Sequence, residues 1–496
     1  MNLLQLLHGA EVLVQSGNPS VSGLEYDSRR VKPGDAFVAM RGEASDGNKF
    51  IDRAIAAGAV AIVSDSAGEK PRAGVAWVQV PHGRRALARL SANFYKRPAE
   101  RMTITGITGT NGKSTTAFLL EAILSAANRK SALIGTIEYH VAGKILPAPH
   151  TTPEALDLNR ILAEALGNGA TEAVMEVSSH ALAQGRVHGL PFDVAIFTNL
   201  TRDHLDFHGT MENYFAAKRK LFDGSLLGPP RVAVVNIEDA YGAQLALVAR
   251  KAGSEIFSYG IGVGEFRAGN IQMAASGMRF ALETPIGTAQ LQTQLTGRVN
   301  AYNLLAASAA AFARGLSLEE IRTGVASLLC VPGRFQTVDA AQPFTVVVDY
   351  AHTDDALRNL IMLAREFVTG TSGKVITLFG CGGDRDKTKR PLMGRAAGEG
   401  SDFVVLTSDN PRSEEPEAIL RDVVPGLTAT AAKYVAEVDR SRAIRLALET
   451  AQPGDIVLIA GKGHEKTQTL KNGTIPFDDA EVAAGVLKEL QSGVKA

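Results

Sequence analysis

The stretch Gly109-Thr110-Asn111-Gly112-Lys113-Ser114-Thr115 carries the residue types of a phosphate-binding loop. Glycines let backbone N–H groups turn onto an anion at a helix start, where the helix dipole favours negative charge. Lys113 would neutralise β- and γ-phosphates, and the Ser114 or Thr115 hydroxyl would face Mg²⁺. The spacing departs from the general pattern, which puts its first glycine where this chain has Ile107; the nearest glycines are Gly106 and Gly109. A run of β-branched residues over Thr103 to Thr108 predicts a strand before the loop, and Ser114 to Ala126 predicts a helix after it.

Other polar or glycine-rich clusters also follow short apolar runs: AVMEVSSH, VAIFTNLTRDH, VVVDYAH, ITLFGCGGDRD, VVLTSDNPR and VLIAGKGHE. Alternation of such runs with helical periodicity predicts parallel sheets covered by helices. Ligands of open α/β sheets bind beyond the carboxyl ends of the strands, which is where these clusters fall. The chain has 496 residues, enough for about three domains of roughly 100–200 residues each. Boundaries are expected near 98, at YKRPAERM, and near 332, where Leu-Cys-Val-Pro-Gly-Arg closes an alanine-rich helical region. The expected domains are 1–98, 99–332 and 333–496.

Lys+Arg and Asp+Glu balance at 52 each, so no basic field argues for nucleic acid or an anionic membrane. The only cysteines, Cys330 and Cys381, make no disulfide framework and suit a reducing cytoplasm. Residues 1–14 show neither a cationic start nor a small-residue cleavage pattern, and the apolar run Leu304 to Ala313 is too short to cross a bilayer. A cytoplasmic monomer is expected.

The loop resembles that of the Mur ligases and their folylpolyglutamate synthase relatives. Glu176-Val177-Ser178-Ser179-His180, Asn199 to Asp206, Asn300 and Asn303, Arg334 after Pro-Gly, and Asp349-Tyr350-Ala351-His352 resemble the same superfamily in the same order. The likeness implies an α/β protein of three domains: an N-terminal UDP-binding α/β domain, a central P-loop ATPase-like domain with a mostly parallel sheet, and a C-terminal Rossmann-like domain. It implies ATP held by Gly109 to Thr115 with Asn300, Arg334 and Asp349, and Mg²⁺ served by Ser114, Glu176 and His204. It also implies that Lys218 carries a CO₂-derived carbamate that supports the metal and that Lys113, Lys218 and His204 are catalytic. By itself Lys218 is a helical lysine beside Arg219 and Lys220, for which a solvated face is the ordinary reading. His180, His188 and His208 read as hydrogen-bonding or packing residues.

Tyr26-Asp27-Ser28-Arg29 and the Gly42 to Gly47 loop resemble the diaminopimelate- or lysine-adding branch. The likeness implies that Tyr26, Ser28, Glu43, Ala44, Ser45, His150, Thr151, Thr152, Ser178, Gln184 and Arg186 bind UDP-N-acetylmuramoyl-L-alanyl-D-glutamate. Asp409-Asn410-Pro411-Arg412, with Arg385, Gly461 and Glu465, resembles a meso-diaminopimelate pocket. A guanidinium such as Arg412 pairs bidentately with the distal carboxylate that lysine lacks, and Glu465 would accept from the distal ammonium. The implied activity is ATP-dependent ligation through an acyl phosphate, releasing ADP and phosphate, in peptidoglycan precursor synthesis. Lysine addition is the sister reading, against which Arg412 argues. Folylpolyglutamate synthesis would leave the leading domain idle, and a regulatory NTPase would leave the Asp409 to Arg412 and Gly461 to Glu465 clusters unexplained. One departure is Asp354, where the family usually has proline; Asp there is expected to open the helix as its cap.

Overall fold

The computed structural model describes residues 1–42, 45–69, 71–274 and 276–492. Three sheets follow one another along the chain. The first joins β1 (Val14–Ser16), β2 (Gly23–Glu25), β3 (Asp35–Ala39), β4 (Ala61–Ser64) and β5 (Ala76–Gln79) in the order β1-β5-β4-β3-β2, parallel except at β1. Helix Gly83–Phe94 lies against it, burying Ala86, Leu87 and Leu90.

The central sheet holds β6 (Thr103–Thr108), β7 (Ser131–Ile134), β8 (Glu138–Val141), β9 (Lys144–Pro147), β10 (Glu172–Glu176), β11 (Val194–Phe197), β12 (Val232–Asn236), β13 (Glu255–Gly260), β14 (Phe266–Ala274), β15 (Gly277–Thr284) and β16 (Gly287–Thr293). The order is β16-β15-β14-β13-β12-β11-β6-β10-β7-β8-β9, parallel from β14 to β7 and antiparallel at both flanks. Strands β10 and β11 flank β6, so the chain leaves β6 at a topological switch, the place where such sheets open a crevice. The buried strands are continuous apolar runs because helices cover both faces. Helix Lys113–Ala126 packs on the alanine-rich helix Arg298–Ala313 and on Leu318–Ser327, whose Gly324 lies so close that a Cβ would sit 2.3 Å from the Ile123 Cα.

The third sheet orders β17 (Gln336–Thr337), β18 (Thr345–Asp349), β19 (Val375–Phe379), β20 (Phe403–Thr407), β21 (Lys433–Glu437) and β22 (Ile456–Ala460) as β17-β18-β22-β19-β20-β21, parallel except at β17. The carboxyl ends of β18, β19, β20 and β22 therefore face one way. A hairpin of β23 (Thr467–Leu470) and β24 (Gly473–Pro476) follows. Among the described residues no helix is long and apolar enough to cross a membrane.

Helix Asp354–Val368 corrects one expectation. Its cap is Thr353, whose hydroxyl accepts from the Ala356 N–H, and Asp354 is the first helical residue. Proline is also welcome at that position, because the first-turn N–H has no intrahelical partner, so the departure leaves the helix intact. Asp354 there gains the favourable end of the helix dipole.

Candidate active site

The irregular glycine spacing has a packing origin. Ile107 is a fully buried β6 residue, so the sharp turn begins two residues later. Gly109 adopts φ +147°, and a Cβ there would meet the Thr198 Oγ1 at 1.9 Å; Gly112 adopts φ +87°, with the Asn303 Oδ1 at 2.3 Å. Both positions exclude side chains through backbone angle and space together. Residues following β11 pin the loop. The Thr110 N–H donates to the Asn199 carbonyl and the Asn111 N–H to the Asn199 Oδ1, each at 2.9 Å, while the Thr198 hydroxyl donates to the Asn111 carbonyl at 2.6 Å. Thr198 and Asn199 were legible only as part of a strand-end motif, and their anchoring role emerges from the sheet order.

Lys113 opens the helix and turns its ammonium back onto the loop, donating to the Gly109 and Thr110 carbonyls at 3.1 and 2.8 Å. Burial, assisted by the Arg334 charge, lowers its pKa, and Glu176 and Asp203 oppose the shift. Thr115 is buried in the same first turn. The Ser114 hydroxyl donates to the Glu176 Oε1 at 2.8 Å, at the end of β10. Thr136, which the sequence did not single out, donates to that carboxylate through its N–H at 2.8 Å and its hydroxyl at 3.0 Å.

Helix Met211–Arg219 is capped by Thr210, and its Tyr214 and Lys218, four residues apart, share the face turned to the loop. Lys218 is 1% exposed, which overturns the solvated reading. Its ammonium donates to the Gly109 carbonyl at 2.8 Å and lies 4.6 Å from the Tyr214 ring centre. Burial, with Lys113 repelling it, holds its pKa well below the usual lysine value. The His204 Nε2 stands 3.3 Å from the Asp203 Oδ2. His208 is buried and contacts the Ser179 hydroxyl at 2.9 Å, and His180 stacks on Phe207, as packing residues would.

The donor set suits Mg²⁺. Ser114 and Glu176 supply hard oxygens beside the loop, and among the described residues no group of three or more His, Cys, Asp and Glu side chains forms an all-protein cage. Mg²⁺ characteristically takes one or two carboxylates and fills the rest with water and phosphate oxygens.

The third domain reaches the same loop. The Arg334 Nη2 donates to the Ser114 hydroxyl at 3.4 Å, with its guanidinium 4.7 Å from the Tyr350 ring centre. Asp349, whose pKa burial raises, accepts from the Phe335 and Ala351 N–H groups and so shapes the turn carrying Arg334. Asn300 donates to the Thr296 carbonyl and accepts from Asn303, at the start of the helix behind Gly112.

Thr152 ties its own segment to the end of β10: its hydroxyl donates to the Glu176 carbonyl at 2.9 Å and accepts from the Ser178 N–H at 3.1 Å. Thr151 contacts the Thr136 hydroxyl, and the His150 carbonyl accepts from the Tyr139 hydroxyl, leaving the imidazole exposed. Arg186 donates to the Thr152 carbonyl and pairs with Glu154 at 3.2 Å, and Gln184 ends the helix Ser179–Gln184 just before it. On the first domain, the Tyr26 hydroxyl donates to Asp157 at 2.8 Å, Ser28 is buried, and Ser45 turns its carbonyl to the Gly42 N–H. Glu43 and Ala44 lie outside the described residues.

Strand ends of the third sheet gather the remaining residues. The Arg412 Nη1 donates to the Gly383 carbonyl at 2.7 Å and packs close to Gly382, with the Arg412 backbone in the left-handed region at φ +53°. Asn410 donates to the Glu465 Oε2 at 2.8 Å, and the Gln468 amide holds the Asp409 carbonyl. Gly461 allows Asp409 to approach, since a Cβ would sit 2.7 Å from its Oδ2. Pro411 is buried, whereas Arg385 is exposed and donates to the Asp384 carbonyl at 3.4 Å. Sequence reasoning passed over Lys462, which is fully buried, pairs with Glu465 at 3.0 Å and donates to the Asn410 Oδ1. Its signal was a lysine between two glycines at a strand end.

Family models match the chain in three segments: Mur ligase family, catalytic domain over residues 20–95; Mur ligase middle domain over 107–311; and Mur ligase, glutamate ligase domain over 333–463. The UDP-N-acetylmuramoyl-L-alanyl-D-glutamate–2,6-diaminopimelate ligase of Solibacter usitatus is 53% identical over 493 residues, covering 98% of each chain. The protein of the same name from Geobacillus thermodenitrificans is 47% identical over 483 residues, covering 96% of each. A solved structure bearing that name superposes with a TM-score of 0.70 at 33% identity, covering 99% of both chains. The MurF ligase of Thermotoga maritima in complex with ADP superposes with a TM-score of 0.65 over 95% of this chain and 98% of its own; at 20% identity that likeness concerns the fold. With its loop, its strand-end clusters and its three matched segments in one order, the chain belongs to the Mur ligase family.

Proposed function

We propose that the chain is an ATP-dependent ligase that joins meso-diaminopimelate to the D-glutamyl carboxylate of UDP-N-acetylmuramoyl-L-alanyl-D-glutamate, in peptidoglycan precursor synthesis. The observation that carries this reading is the meeting of Arg334, Ser114 and Glu176, which brings the third domain against the loop around Lys113 and supports a site shared between the two domains. Relatives covering nearly the whole chain bear the name of that activity. Their two substrates are soluble, which suits a cytoplasmic enzyme.

A carboxylate is a poor electrophile, and transfer of the γ-phosphoryl group gives it a leaving group. In this reading Lys113 releases the loop carbonyls to pair with phosphate, and Arg334 adds a second cation where charge develops. Ser114 and Glu176 would hold Mg²⁺, which neutralises phosphate charge and orients the γ-phosphoryl group. Thr136 keeps the Glu176 carboxylate turned toward Ser114. The buried Lys218 amine is biased toward its uncharged form, the one that adds to CO₂ with loss of a proton to give a carbamate. Lys113 and the neighbouring cationic positions then face an anion instead of a second ammonium. Thr152 and Arg186 would orient the dipeptide end of the acceptor. Attack by the amine on the acyl phosphate gains from both reactants being held at one edge.

Selectivity would reside in Arg412. Its Nη1 holds the Gly383 carbonyl, which fixes the guanidinium, and a distal carboxylate supplies a bidentate partner. Glu465, set by Lys462 and Asn410, would accept from the distal ammonium. Phosphate release measured with the UDP-muramoyl dipeptide should require ATP and proceed with diaminopimelate. Release with lysine but not diaminopimelate would sink the assignment. In Arg412→Ala the preference between the two amines should fall by about 10²-fold or more.

A further inference from the structure

Arg412 carries its side chain on a backbone that disfavours one. Its φ of +53° lies in the left-handed region, where the Cβ of an L-residue crowds the following carbonyl. Such conformations persist only where the surroundings over-determine them, and they gather at functional sites. Pro411, immediately before, has its own φ fixed by its ring and carries no N–H. The φ of Arg412 is therefore the torsion that aims the guanidinium. A turn to the right-handed region would take its Nη1 off the Gly383 carbonyl, which it now meets at 2.7 Å.

The hairpin of β23 and β24 holds that torsion. The Arg412 N–H donates to the Thr469 carbonyl at 3.0 Å, and the Thr469 N–H donates to the Asn410 Oδ1 at 2.8 Å. Next to it the Gln468 side chain, 7% exposed, donates through Nε2 to the Asp409 carbonyl at 2.7 Å. Asp409, Asn410 and Arg412 are thus each tied to one two-residue stretch of β23. The hairpin belongs to no larger sheet, and a two-stranded hairpin is marginal alone, so these bonds help to seat it. On the other side the Gly383 N–H donates to the Asn410 carbonyl at 2.9 Å, and the Ser413 hydroxyl donates to the Asp384 Oδ1 at 2.6 Å. Those contacts fix where the segment lies. The bond on the aiming torsion itself comes from the hairpin.

We propose that the hairpin is a specificity clamp and Gln468 a positioning residue within it: by holding the Asp409 carbonyl, Gln468 seats Thr469 against Arg412 and keeps the guanidinium aimed at the place of the distal carboxylate. Gln468 acts through Arg412, with its amide turned to protein backbone. The inference rests on the proposed function in one respect, the reading of Arg412 as the residue that selects between amines.

The test is Gln468→Met in the full-length protein, which keeps an unbranched side chain of similar length and removes the donor. The ratio of kcat/KM for diaminopimelate to that for lysine should fall at least about tenfold, with the KM values for ATP and the sugar nucleotide unchanged. In an Arg412→Ala background the same change should leave the ratio where it is, because nothing remains to be aimed. Without substrates, hydrogen exchange across residues 409–414 should be faster in Gln468→Met than in the wild type. Ile475 lies across the hairpin from Gln468 and is 42% exposed. Ile475→Pro takes an N–H out of the hairpin away from the pocket and should lower the ratio too; it decides the matter should Gln468→Met prove unstable. An unchanged ratio, whether or not Tm falls, overturns the clamp. So does a fall of the same size with and without Arg412. A wild type that fails to turn over diaminopimelate would refute the proposed function instead; the exchange comparison then decides the clamp, and equal rates overturn it.

Discussion

Lys218 shows how much a residue's meaning depends on burial. A lysine flanked by Arg219 and Lys220 reads as solvated, yet its neighbours point away while it enters the loop's carbonyl shell. Only helix Met211–Arg219 with its Thr210 cap fixes which of the three turns inward, and a sequence does not state where that helix docks. Glu176 and Ser114 were legible because each ends or follows a strand in a recognisable cluster; Thr136 and Lys462 were not, since their roles depend on a distant partner. Lys218→Ala should reduce kcat by about 10²–10³-fold, the scale of losing one charge-stabilising group, because the anionic oxygens expected on that side chain go with it. Short carboxylates such as formate should restore part of the rate by entering the vacated space. Full activity without rescue would remove Lys218 from the chemistry.

At the scale of elements, the strand runs and the polar clusters after them were readable, because buried parallel strands are short apolar runs with functional loops at one end. The antiparallel additions β14 to β16 and β7 to β9 were less visible, since exposed edge strands carry mixed residues. Helix Arg440–Thr450 contributes a device that no motif announced. Arg440 is fully buried, pairs with Asp479 at 2.7 Å, and donates to the carbonyls of Ser408 and Ala460, the residues at the ends of β20 and β22 from which the Asp409 to Arg412 and Gly461 to Glu465 clusters of the proposed amino-acid pocket depart. Arg440→Met alone strands the Asp479 charge and should cost about 3–5 kcal/mol. Arg440→Met/Asp479→Leu removes both charges and should recover most of that stability in a denaturant titration, yet keep a raised KM for diaminopimelate because the two carbonyls lose their shared donor. Recovery of the wild-type KM along with stability would make Arg440 a packing residue only. A pH effect belongs to this scale too. Burial disfavours charged His140, but Glu121 and Glu138 outweigh it and raise the pKa to about 9. The folded state therefore holds this proton more tightly than the unfolded chain, so the stabilisation is complete below about pH 6.5 and lost as pH rises through about 9. The Tm gap between wild type and His140→Gln should narrow across that window; a constant gap would refute the pairing.

Across the whole molecule, the three sheets matter through the seams between them. The third domain touches the loop around Lys113 and the segment after β11: Asn111 donates to Asp355 at 3.3 Å, Arg334 reaches Ser114, and Arg202 pairs with Asp354 at 3.6 Å. Sequence could name each residue but not this closure, which depends on rigid-body placement of separately folded units. The seam contacts differ in weight. Arg202 is exposed and Asp354 partly so; such a pair contributes about 0–1 kcal/mol and is screened by salt. Asp354→Pro, at a first helical position that accepts proline, should therefore change kcat by less than about fivefold, with the difference fading at high salt. Arg334 is another matter, because its cation is delivered to the nucleotide loop only when the third domain is in place. Arg334→Ala should lower kcat by about 10²–10³-fold while the affinity for ATP, which the proposed function assigns mainly to the loop and Lys113, changes little. Equal losses in ATP affinity and kcat would instead make Arg334 a ground-state contact, and an unchanged kcat would mean that catalysis does not use the closed arrangement.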